Sequence, residues 1–146
     1  MEKQENKLLN MIYQDATVGM LAIDKILKRI ENEALRKVFA KQYDAYEKFA
    51  EKCDHLAESH NVEIKENSFF KKFKQSAMLY MSLWVDKTPR HIVEMMISGT
   101  VMGIVDSIKA EHDLKTNNEE LKALVVEFKK MQEEFYEKLK KQLAKV

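Results

Sequence analysis

Apolar side chains recur along the first thirty residues at steps of three and four: Leu9, Ile12, Ala16, Gly19, Ile23, Ile26 and Ile30. A stripe with that period is one face of an α-helix. A first helix is therefore predicted from about Gln4 to Ile30, with Leu8, Met20 and Leu27 widening the stripe. Glu31-Asn32-Glu33 is a short polar connection, so the second helix is expected to fold back antiparallel. Its stripe is Leu35, Val38, Phe39, Gln42, Tyr46, Phe49, Cys53 and Leu56, and it runs to about His60. The pattern breaks over 61–67. A shorter third helix is predicted from Ser68, a plausible N-cap, to Trp84, carrying Phe69, Phe70, Phe73, Ala77, Tyr80 and Met81. Thr88-Pro89 opens a fourth helix that runs to about His112, since proline in the first turn loses no needed hydrogen bond. Thr116-Asn117-Asn118-Glu119 reads as a capping box. The fifth helix follows it almost to the end of the chain, on Leu121, Leu124, Val125, Phe128, Met131, Phe135 and Leu139. The expected fold is all-α, one domain over 1–146: an antiparallel four-helix bundle of two hairpins, joined by a long crossover that contains the shorter helix.

Composition agrees with that outline and narrows the chemistry. The 146 residues are 45% hydrophobic and 34% charged, with three Gly and one Pro, a supply that favours long helices over many turns. A net charge of +1 supplies no basic field, so nucleic acid is not an expected partner. Cys53 is alone and can form no intramolecular disulfide, which suits a reducing compartment. Met1-Glu2-Lys3-Gln4-Glu5 lacks the apolar run of a signal peptide, and no stretch is expected to span a bilayer. The expected location is the cytoplasm.

The bundle interior is expected to be apolar. The fourth helix stands out because Ile92, Val93, Met95, Met96, Ile97, Val101, Met102, Ile104, Val105 and Ile108 spread round its whole circumference. A helix apolar on all sides needs cover on all sides, from the third helix or from another subunit. Gly99-x-x-x-Gly103 lets a neighbouring backbone approach, with Gly19 as its expected counterpart, or leaves a small pocket. Met78, Met81, Met95, Met96 and Met102 fall at core spacing and read as gap-filling; a plastic binding surface is the alternative, and Cu(I) ligation a further one. Cys53 falls in the second helix's stripe, so core packing is expected rather than a reactive thiol. His55, His60, His91 and His112 read as solvated. Phe69-Phe70-Lys71-Lys72-Phe73-Lys74 opens an amphipathic segment that packs on the bundle, or else lies on an anionic membrane.

Three local features carry a resemblance: Leu9-Asn10-x-x-Tyr13 in the first helix, Leu35-Arg36-x-x-Phe39 in the second, and single glycines, Gly19 and Gly99, midway along the first and fourth. With the one long crossover, the chain resembles a remote member of the bacterial ferritin-like four-helix-bundle stress proteins. That resemblance implies a di-metal centre, with one Glu from each of two helices and a Glu-x-x-His pair from each of the others. At the corresponding positions this chain has Asp15 and Met20, Tyr46 and Phe49, Gly99 or Thr100, and Gln132 and Phe135. Glu-x-x-His does not occur, and His91-x-x-Glu94 has the reverse order. No metal site, catalytic group or cofactor is therefore expected. The leading reading is a non-catalytic ferritin-like bundle, stress-related as the resemblance implies, acting through self-association, as a homodimer on the third or fourth helix, or through a partner. One alternative is an iron protein with an irregular site around Asp15, Gln42, Tyr46 and Gln132. The other is an apolar-ligand or membrane-surface module using the third helix and the Met cluster.

Overall fold

The stripes of the first, second, fourth and fifth predicted helices fold as helices. The computed structural model describes residues 1–64, Gln75 and 88–146. Among the described residues four helices form: α1 (Lys3–Leu27), α2 (Glu33–Ser59), α3 (Pro89–Asp113) and α4 (Glu119–Leu143). No strand occurs among the described residues. The described residues are all-helical in architecture, and their arrangement fits a four-helix bundle. The third predicted helix, Ser68 to Trp84, lies outside the described residues.

The predicted stripes are the observed core. Leu9, Ile12, Ala16, Ile23, Ile26 and Ile30 bury against Leu35, Phe39, Tyr46, Phe49, Cys53 and Leu56, and against Leu121, Leu124, Val125, Phe128, Met131, Phe135 and Leu139. The closest pairings are α1 with α2 and α3 with α4.

The helix ends differ in detail from expectation. α1 stops at Leu27, three residues early, because Arg36 reaches back from α2. Its Nη1 donates to the carbonyls of Leu27 at 2.5 Å and Ile30 at 2.7 Å, taking groups that would otherwise lack a partner. Thr88 caps α3 as expected, its Oγ1 accepting from the His91 N–H at 3.3 Å. The cap of α4 is Asn118, whose Oδ1 accepts from Leu121 N at 3.1 Å. Thr116 lies two residues before that cap, where its hydroxyl accepts from Asn118 N at 3.0 Å and donates to the Glu5 carboxylate of α1.

One expectation is overturned. Pro89–Asp113 is long and apolar enough to cross a membrane, although the chain was expected to hold no such stretch. Length and composition alone carry that statement, and a core helix of a soluble protein meets the same test. Only 28% of its most apolar window is buried, so α3 is not sheltered on all sides among the described residues.

Candidate functional site

Two features of the described residues depart from a plain apolar bundle: a polar cluster at mid-height and the outer face of α3.

At mid-height the interior is not apolar, contrary to expectation. Gln132 of α4 is buried, and its Oε1 accepts a 2.9 Å hydrogen bond from the buried Ser107 hydroxyl of α3. Tyr46 of α2 is buried beside them. Burial and the nearby Asp15 charge push its phenol well above the ordinary range, and a hydrogen bond from Gln132 opposes them. Asp15 of α1 completes the group. Burial first, then the charge of Asp106 on α3, pushes its carboxyl up to about 7. Its Oδ2 is buried with no hydrogen-bond partner. Thr100, also buried, turns its hydroxyl back onto the Met96 carbonyl of its own helix at 2.7 Å.

Glycines make this layer possible. A Cβ on Gly19 would lie 2.7 Å from the Tyr46 ring, and one on Gly103 would lie 2.2 Å from Gln132 Nε2. The two glycines thus admit a ring and an amide from different helices. They do not face each other, as Gly19 and the Gly99-x-x-x-Gly103 pair were expected to; a Cβ on Gly99 would meet nothing within 4 Å.

Of the four residues in the irregular-site reading, Asp15, Tyr46 and Gln132 share this layer. Gln42 instead lines a separate groove between α2 and α4. Sequence reasoning missed Ser107 and Asp106. The available signal was Gly103 followed four residues later by Ser107, two small positions on one face of an otherwise apolar helix.

Three of the positions where the resemblance implies metal ligands, Tyr46, Phe49 and Phe135, hold aromatic rings. Tyr46 stands edge-on to Phe135 at 5.4 Å between centroids and to Phe128 at 6.4 Å, and Phe49 to Phe128 at 5.1 Å. Among the described residues no three of His, Cys, Asp and Glu converge. Cys53 is fully buried, and burial pushes its thiol up to about 12, the environment of a packing residue. His91 and Glu94 approach to 4.0 Å on the solvent side of α3.

On the outer face of α3, Val101 is 39% exposed, Met102 66%, Val105 42% and Ile108 51%. Their spacing places them on one stripe, opposite the inward Thr100, Gly103 and Ser107. A row of large apolar side chains in water marks a contact surface.

No protein-family model, curated protein or solved structure matches the chain.

Proposed function

We propose that the chain is a non-catalytic ferritin-like bundle that works by association, with a second copy of itself seated on the outer face of α3. The observation that carries this reading is the exposed stripe Val101, Met102, Val105 and Ile108. Such a stripe is self-complementary about a twofold axis, the commonest symmetry of soluble oligomers. Gly99 adds open space beside it, so a facing helix can come close. The net charge of +1 sets up little repulsion between copies. The antiparallel, ferritin-like course of the chain belongs to the same proposal. In its support, the start of α1 meets the end of α3 and the start of α4 through Gln4–Asp113 and Glu5–Thr116, while the residue after α2 meets α4 through His60–Asn118.

Sedimentation equilibrium of the full chain tests the association. The proposal expects a species of twice the 17.2 kDa chain mass at micromolar concentration. A monomer throughout, with no exposed apolar patch detectable by dye binding, counts against it.

A second reading rests on the unpartnered Asp15 Oδ2. A cation between Asp15 and Asp106 would neutralise both carboxylates, with Tyr46 and Gln132 as neutral neighbours. Elemental analysis of protein grown in iron-rich medium decides it, and metal-free protein ends it.

A further inference from the structure

The groove between the first half of α2 and the end of α4 concentrates positive charge. Its lining includes Lys37 and Lys41 from α2, Lys138 and Lys141 from α4, and Lys145 just beyond α4, with no acidic side chain. Lys37 and Lys41 are four residues apart; Lys138, Lys141 and Lys145 follow at three and four. Each set therefore shares one face of its helix. Five of the other described lysines pair with carboxylates: Lys28 with Asp24, Lys52 with Glu127, Lys122 with Glu119, Lys129 with Glu111 and Lys140 with Glu137. Among the described residues none of the five groove lysines has such a pair. The helix dipole favours cations at the end of α4, but offers no such support to Lys37 and Lys41 near the start of α2. Gln42 also lines the groove. It is only 2% exposed, and its Nε2 is buried without an acceptor.

We infer that this groove binds a compact phosphate-bearing anion of about pyrophosphate size. Clustered ammonium groups repel one another, and one multiply charged anion relieves several of those repulsions together. Lysine serves phosphate as a point charge. The cavity, about 240 Å³, is below the usual range for drug-sized ligands and suits a small anion.

Calorimetric titration of the full chain with pyrophosphate tests this, against sodium chloride at matched ionic strength and against vesicles containing phosphatidic acid. Saturable pyrophosphate binding is expected, with movement of the Gln42 side-chain amide signals in a ¹H–¹⁵N spectrum. The surface double variant K41E/K138E, whose fold is checked by circular dichroism, should bind at least ~10-fold more weakly, a loss of about 1.4 kcal/mol. No saturable binding, an equal response to chloride, binding to the vesicles alone, or unchanged affinity in the variant would each overturn the inference.

Discussion

Asp15 is the most consequential single residue of the interior. Its carboxyl ionises only near 7 in the fold, against an ordinary 3.8 in the unfolded chain. The folded state thus holds a proton that the unfolded state releases as pH rises. Asp15's contribution to stability is therefore most favourable below pH 4, falls as pH rises from about 4 to about 7, and then levels off. Asp15→Asn keeps the shape without the charge. It should raise stability at pH 8 by roughly 2 kcal/mol, with a ceiling of about 4, and leave it nearly unchanged at pH 4. Urea unfolding at both pH values measures this; equal effects at both would contradict the burial argument. The glycines make a paired prediction. Gly19→Ala drives a methyl into the Tyr46 ring and should cost about 1–3 kcal/mol. Gly99→Ala meets open space and should stabilise the isolated chain by about 1 kcal/mol through helix propensity alone. Thermal melts of both variants, below the concentration of self-association, should move in opposite directions.

At the scale of elements, the periodicity made most of the fold legible. The stripes of α1, α2 and α4 are the buried faces because a fixed helical period and a one-sided core leave few alternatives. The helix ends were less legible, since tertiary partners decide them. Thr116 carries a good cap signal, yet its hydroxyl bridges Asn118 N and the Glu5 carboxylate, from the far end of the chain, and Asn118 caps α4. Asn118→Ala should therefore cost about 1 kcal/mol in chemical denaturation. A loss confined to Thr116→Ala would restore the original capping box. The polar layer was only half legible. Asp15, Tyr46 and Gln132 stood out as polar positions within or at the edge of apolar stripes, whereas Ser107 and Asp106 were hidden in a helix whose apolar residues surround it. The Gly19 pairing failed because spacing along one helix says nothing of which neighbour it faces.

On the scale of the whole molecule, α3 sets the question. Its inner face carries Thr100, Gly103 and Ser107 into the bundle, and its outer face leaves Val101, Met102, Val105 and Ile108 exposed. The all-round apolar pattern was legible in the sequence; which face lacks cover among the described residues required the packing of the other helices. The central proposal is that a second copy covers it. Light scattering on the eluting peak, for the natural chain beside Met102→Glu/Val105→Glu, tests that most directly. The account predicts twice 17.2 kDa for the natural chain and a single chain mass for the variant, with unchanged helical circular dichroism. Equal masses for the two, or a natural chain that is monomeric while the variant loses stability because its own residues cover the stripe, would contradict it.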